Sequence, residues 1–356
     1  MKRQICTLAL LGLLLVVGGI FMVAGRTPVS ETERRQLAQW PQLTWQSLYT
    51  GRWMQDAEQA AADQFPCRDL FRQGKAQFVY HVLLQGENNG IYLRGGSAAK
   101  LDYPLNEASV SHLAQVILDI QNTYLKDTQV HCYYSIVPDK NAYLAGWYPT
   151  MDYHRLTQQL EALLPMTYVD LFPCLTGDSY YRTDPPLAAG RFAACGGDLD
   201  FRYGCSPFLG LDSSGRRSFF RGVHWAIRFA SGAGPPPLPH RQRPGKLHSA
   251  RSGGEIPLYD WEKAQGRDPY EFFLSGASPI QVLENPAALS DRELVVFRDS
   301  FGSSLAPLLA GSYRKITLID LRYISSDLLE SYVRFQEQDV LFLYSALIWN
   351  QSGTIR

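Results

Sequence analysis

The chain predicts an α/β fold built on a mainly parallel sheet, and three observations lead there. Residues 130–137, 294–297, 316–319 and 340–344 are short runs of apolar character, the pattern of buried strands. Segments with helical spacing, 106–124, 156–164 and 326–335, alternate with them. The strand runs are apolar on both faces, so each face needs a cover of helices, which is the arrangement of a parallel sheet between helical layers.

In chain order, Lys2 and Arg3 precede an apolar run over residues 5–24, closed by Arg26. A run of that length spans a bilayer as one helix. The basic residues ahead of it predict that the amino end stays inside and the bulk of the chain lies outside the cytoplasm. Val23-Ala24-Gly25 also fits a signal-cleavage site, so anchor and cleaved signal are both readings of residues 1–26. A polar connector follows, bracketed by Pro28 and Pro41. Residues 51–84 then carry helical spacing in two halves split by Pro66. Trp53, Ala57, Ala60, Ala61 and Phe65 line the first half. Leu70, Phe71, Phe78, Val79, Val82 and Leu83 line the second. The expectation is an amphipathic hairpin, over a juxtamembrane region 27–86, that packs on the main domain of residues 87–356. In that domain, Glu87-Asn88-Asn89-Gly90 turns into a short strand at 91–93. Helix 106–124 presents Val110, Leu113, Val116, Ile117 and Ile120 on one face. His131, at the start of a strand, reads as core or surface rather than catalytic. Residues 167–169 form a further short strand.

Composition excludes several functions. The formal net charge is zero, which argues against nucleic acid or an electrostatically driven membrane partner. The six cysteines, Cys6, Cys67, Cys132, Cys174, Cys195 and Cys205, show no paired spacing, so neither a zinc site nor a disulfide framework is predicted. HExxH, GxGxxG and P-loop motifs are absent, and no cofactor is expected.

Residues 185–255 depart from the rest. Arginine outnumbers lysine nine to one there, Gly, Pro and Ser are dense, and no period persists. Inside a compact domain such a stretch is unusual, and it reads as a disordered or lid-like insertion.

The chemistry is expected at residues 294–310, LVVFRDSFGSSLAPLLA. The apolar run 294–297 is a strand and Arg298-Asp299-Ser300-Phe301-Gly302 breaks it. Ser303 and Ser304 are N-cap candidates for a helix over 305–310 that stops at Gly311. Ser300 then sits on a strand-to-helix turn, where open α/β sheets place ligands. A serine there has an exposed hydroxyl and backbone N–H groups close by for an oxyanion, those near Phe301 and Gly302. Asp299 and Ser300 are also good turn and cap residues, which is the plain structural alternative.

Several stretches, taken in order, resemble one family. They are Asp63-Gln64-Phe65-Pro66 with Arg68-Asp69, then residues 87–92, 180–184 (YYRTD), 298–300 (RDS), 320–323 (DLRY) and 339–344. The chain resembles the DHHW proteins of Gram-positive bacteria, themselves similar to alginate O-acetyltransferases and the SGNH hydrolases. The resemblance implies an SGNH-like three-layer α/β domain and acyl transfer or ester hydrolysis on envelope polysaccharide. By position it makes Ser300 the nucleophile and Asp184 the triad acid. Asn88 or Asn89 could add a side-chain donor and Tyr181 could stack on a sugar, although Glu87-Asn88-Asn89-Gly90 is also a good turn. It implies an acyl donor or polysaccharide as partner, and a membrane-bound acyltransferase is a further candidate. The family motif reads D-H-H-W, whereas this chain has Asp184-Pro185-Pro186-Leu187, so the base position is Pro186.

Proline cannot accept a proton. A codon reading accounts for its presence. Pro-Pro-Leu encoded as CCACCACTG, followed by the G that begins an alanine codon, reads His-His-Trp one base later. A pair of compensating frameshifts bracketing residues 185–255 explains both the lost histidine and the Arg/Gly/Pro-rich run. The rival is a true replacement in an inactive homologue. His224-Trp225 follows no aspartate at the family spacing and is not taken as the lost pair. Two functions remain: an impaired O-acyltransferase or esterase, and a non-catalytic envelope protein that binds glycan or an acyltransferase.

Overall fold

The structure, a computed structural model, describes residues 7, 8, 11, 12, 16, 27–30, 35–94, 97–144, 146, 148–180, 246–249, 255–264, 269–288, 290–310 and 312–355. The chain divides into two compact units, Met1–Asn89 and Gly90–Arg356.

The first unit holds helices Trp45–Tyr49, Arg52–Asp63 and Arg68–Gln77, the last running on as a π-helical turn, Phe78–Val82. Thr44 starts the first helix with a reciprocal capping box to Ser47. In Arg52–Asp63 the small residues Ala57 and Ala60 are buried, as their spacing predicts. The second half differs from expectation. Of Leu70, Phe71, Phe78, Val79, Val82 and Leu83, only Val79 is buried. The apolar periodicity there is real, and the other side chains stand exposed. The predicted membrane run 5–24 lies mostly outside the described residues. Among the described residues no helix is long and apolar enough to cross a membrane.

The second unit opens with the hairpin β1 (Ile91–Arg94) and β2 (Ser97–Lys100). Its main sheet then uses β3 (His131–Val137), β4 (Thr167–Tyr168), β5 (Lys246–Ser249), β6 (Glu255–Ile256), β7 (Ile280–Glu284), β8 (Glu293–Arg298), β9 (Lys315–Ile319) and β10 (Asp339–Ser345). Across the sheet the order is β4-β3-β10-β8-β9-β7-β5-β6. The pairings from β4 to β9 are parallel, and β7, β5 and β6 are added antiparallel to their neighbours. Helices α1 (Glu107–Ile120), α2 (Tyr153–Leu163) and α3 (Gly302–Leu309) connect strands, and α4 (Ala346–Asn350) follows the last strand.

Alternation along the strands builds two cores. Leu294 and Val296 of β8 join Ile316, Leu318, Leu341 and Leu343 on one face, under Leu305, Ala306 and Leu309 of α3. Val295 and Phe297 join Ile319, Val340, Phe342 and Tyr344 on the other, under α1 and α2. Fully burying the four apolar side chains of residues 294–297 contributes roughly 1.5–3 kcal/mol each, which is why this strand tolerates no polar face. The fold is thus the expected α/β arrangement, helices on both faces of a sheet that is mostly parallel.

Two details correct the sequence reading. Lys246–Ser249, inside the stretch read as irregular or out of frame, is a strand paired with β7. Residues 181–245 lie outside the described residues. The sheet also continues beyond its parallel part through β7, whose five residues escape a simple apolar-run reading because Gln281 is buried among them.

Candidate active site

β10 follows β9 in sequence but pairs on the opposite side of β8, so the direction of strand addition reverses at β8. The carboxyl end of β8 is therefore a topological switch point, the place where such sheets leave a crevice. Arg298, Asp299 and Ser300 occupy it.

The turn is built from short-range bonds. The Phe301 N–H donates to Asp299 Oδ1 at 2.9 Å, an Asx turn. The Gly302 N–H donates to the Asp299 carbonyl at 3.2 Å and the Ser303 N–H to the Ser300 carbonyl at 3.1 Å. Helix α3 starts at Gly302, earlier than the predicted residue 305, and Ser303 and Ser304 lie inside its first turn rather than capping it. Their hydroxyls are buried and used otherwise: Ser303 Oγ accepts from Arg298 Nη1 at 2.8 Å, and Ser304 Oγ donates to the Phe301 carbonyl at 3.1 Å. Gly311, the predicted stop, lies outside the described residues. Glycine at 302 has a steric reason. A Cβ there would stand 2.6 Å from Arg298 Cβ and 3.1 Å from Cδ.

A charged network supports the turn from below. Arg298 is 1% exposed, and its Nη2 donates to Gln281 Oε1 at 2.7 Å. Its Nε has no partner among the described residues. Burial lowers the Arg298 pKa, opposed chiefly by the charge of Asp320. Asp320 is fully buried and takes both Nε (2.9 Å) and Nη2 (2.6 Å) of Arg322, a bidentate pair. Burial opposes the Arg322 charge too, but the Asp320 bonds and charge outweigh it and raise the Arg322 pKa. Asp299 is held up in pKa by burial, while bonds from Ser345 and Phe301 and the charge of Arg322 pull the other way. The Ser345 N–H, at the end of β10, donates to Asp299 Oδ2 at 2.9 Å. One carboxylate thus ties the nucleophile-like turn to the neighbouring strand.

Ser300 is half-buried, and among the described residues its hydroxyl has no hydrogen-bond partner. Its carbonyl accepts from Tyr270 Oη at 2.5 Å. Tyr270 lies in the short 3-10 helix Pro269–Phe272, a contact from a segment whose sequence carried no signal for the site. The amides predicted as oxyanion donors, those of Phe301 and Gly302, are both engaged within the turn. In this geometry an oxyanion at Ser300 needs donors from elsewhere.

The other predicted residues fall as follows. Asp184, Tyr181, Pro186 and His224 lie outside the described residues. Tyr180, the last described residue before them, is buried, and its hydroxyl donates to the Pro138 carbonyl at 2.7 Å, at the carboxyl end of β3. Asn88 and Asn89 belong to the first unit, whereas Ser300 belongs to the second. Asn89 adopts the left-handed conformation at φ 53°, its Oδ1 accepts from Lys75 Nζ at 2.8 Å, and Gly90 follows at φ 74°. These are turn properties.

A second polar cluster at the carboxyl end of the same sheet was not foreseen. Directly after β3, Asp139, Lys140 and Asn141 are all buried. Asp139 accepts from Tyr153 Oη and from Asn141 Nδ2, and Asn141 Oδ1 accepts from Tyr92 Oη at 2.6 Å. Lys140 Nζ donates to the Ala98 carbonyl at 2.5 Å. Burial pushes the Asp139 carboxyl up to about 6, with Asp102 adding and the Tyr153 and Asn141 bonds opposing. The available signal was a strand ending in Pro138 followed at once by three polar residues.

Comparison with known proteins bears on the fold. Among solved structures the chain is similar to PatB1 of Bacillus cereus, determined with a sulfonyl adduct, at 16% identity and a TM-score of 0.50, covering 73% of this chain and 97% of that one. It is also similar to a DHHW family protein of Eubacterium siraeum, at 13% identity and a TM-score of 0.46, covering 74% of this chain and 93% of that one. A third is the O-acetyltransferase domain of AlgJ from Pseudomonas putida, at 14% identity and a TM-score of 0.36, covering 73% of this chain and 92% of that one. At such identity the likeness to PatB1 is one of fold. No protein-family model matches the chain, and no curated protein does.

Proposed function

We propose that the chain is an SGNH-like homologue of O-acyltransferases and esterases of the cell envelope, with Ser300 in the nucleophile position. Turnover is crippled as written, because Pro186 stands where the base is needed. The observation that carries this reading is the half-buried Ser300, with its hydroxyl unengaged by any described residue, on the strand–turn–helix at the carboxyl end of the central strand. The fold likeness to PatB1, a protein determined with a sulfonyl adduct, supports the same reading.

In the intact chemistry a histidine takes the Ser300 proton while Ser300 Oγ attacks the acyl carbonyl. The tetrahedral adduct collapses to acyl-serine with loss of the donor's leaving group, which receives that proton. A sugar hydroxyl or water then attacks the ester and regenerates Ser300. Asp184 is assigned the histidine's orienting acid. Tyr181 is assigned a sugar-facing place. The substrate is assigned to envelope polysaccharide through the resemblance. The basic-led apolar run 5–24 supports a single-pass anchor with the globular part outside the cytoplasm. The observation favouring the second reading, a non-catalytic partner of glycan or of a membrane acyltransferase, is Pro186 itself.

The test begins with resequencing the gene across codons 180–260. A fluorophosphonate probe then compares the chain as written with one carrying His-His-Trp after Asp184. The repaired chain is expected to label on Ser300 about a thousandfold faster, since triad members act as a unit. Ser300→Ala removes the label. Equal labelling of both chains overturns the assigned base. No labelling of a folded repaired chain overturns Ser300 as nucleophile.

A further inference from the structure

The exposed apolar face of the first unit asks for an occupant. In helix Arg68–Gln77 no residue is buried. Leu70 is 67% exposed, Phe71 64%, Phe78 52% and Val82 62%. At 100° per residue Leu70, Phe71 and Phe78 fall within a sector of about 100°. Asp69 and Arg72 lie on the far side, and Arg68 and Lys75 lie on one flank. Phe65 packs edge-on against Phe71, with ring centroids 5.5 Å apart, and extends the same apolar surface. An amphipathic helix with low overall hydrophobicity, Leu and Phe on one face and cations beside it matches a helix lying in a membrane interface.

The chain path says why the occupant is lipid. Thr27 follows the predicted membrane run with only Gly25 and Arg26 between. Its N–H donates to Gln64 Oε1 at 3.1 Å, and its carbonyl accepts from Gln64 Nε2 at 3.0 Å. Gln64 Nε2 also donates to the Ala38 carbonyl, and the Ala38 N–H to Asp63 Oδ2 at 2.9 Å. Gln64 is buried and directly precedes Phe65. Three residues of extended chain span at most about 11 Å. A bilayer-spanning run that ends at residue 24 therefore delivers Gln64, and with it the start of Arg68–Gln77, to the membrane surface.

We propose that Leu70, Phe71, Phe78 and Val82 seat the first unit in the outer headgroup–acyl boundary of a lipid bilayer. This rests on the reading of residues 5–24 as an anchor and goes beyond it by giving the following unit its own lipid contact.

The test uses the full chain in vesicles of phosphatidylcholine and phosphatidylglycerol that carry a diazirine on an acyl chain. After photolysis, adducts are mapped by mass spectrometry. Adducts within both 5–24 and 65–82 support the proposal. Adducts within 5–24 alone overturn it and leave the anchor standing, as expected were the face covered by a protein. Adducts in neither overturn both. The double variant Leu70→Ser/Phe71→Ser is expected to lower adducts in 65–82 at least about tenfold, with those in 5–24 unchanged. Unchanged adducts in 65–82 also overturn the proposal.

Discussion

Gly302→Ala tests the construction of the serine turn through a single methyl group. Gly302 is not in the left-handed region, so alanine is allowed by the backbone and the outcome is decided by contact. The new Cβ would stand 2.6 Å from Arg298 Cβ and 3.2 Å from Cγ. The arginine stem cannot swing aside freely, because its head is held by Gln281 at 2.7 Å and Ser303 at 2.8 Å. Overpacking of this kind costs about 1–3 kcal/mol, and a contact this short belongs at the upper end. Replacing glycine in a helix returns at most about 1 kcal/mol, less in the first turn. The net expectation is about 2 kcal/mol of destabilisation. For a domain of this size that lowers Tm by about 4–8 °C. Thermal unfolding of the full chain followed by near-UV circular dichroism measures it. The double variant Arg298→Ala/Gly302→Ala should lose less than the two single variants together, since Arg298→Ala removes the stem that alanine strikes. A Gly302→Ala protein as stable as the parent, or strictly additive variants, would refute the assigned contact.

Three further outcomes follow from the same site. Asp139 has a folded-state pKa of about 6, above its unfolded value, so the native state binds the proton more tightly. Its contribution to stability is therefore full below about pH 4 and is lost as pH rises through 6, by up to about 3 kcal/mol; denaturant titrations at these pH values should show it, and Asp139→Asn should flatten the difference. Asp320→Ala breaks the bidentate pair with Arg322 and removes the chief charge that offsets the burial of Arg298, so a loss of about 3–5 kcal/mol in urea unfolding is expected; a loss below about 1 kcal/mol contradicts it. Tyr270→Phe removes the bond to the Ser300 carbonyl, which is expected to cost about 1 kcal/mol and to slow fluorophosphonate labelling of the repaired chain; unchanged labelling would separate Tyr270 from the site.

Local pattern determined much of this protein. Residues 294–297 are apolar at every position, and a strand with no polar side must lie between two layers, which is where β8 lies. The same logic located β3, β9 and β10. A strand broken by Arg298-Asp299-Ser300 ahead of a helix placed Ser300 on a turn, since that inference needs only neighbours in sequence.

What tertiary structure alone decided involves partners far apart in the chain. The insertion of β10 between β3 and β8 brings the Ser345 N–H to Asp299, 46 residues away. Tyr270 reaches Ser300 across 30 residues. Periodicity reports which face of an element is apolar, but not which element will cover it. That is why Leu70 and Phe71 read as packed and stand exposed, and why the amides of Phe301 and Gly302 read as free and are engaged. Whether a face is buried, or a donor is spent, depends on which distant groups meet it, and that is settled only when the chain closes on itself.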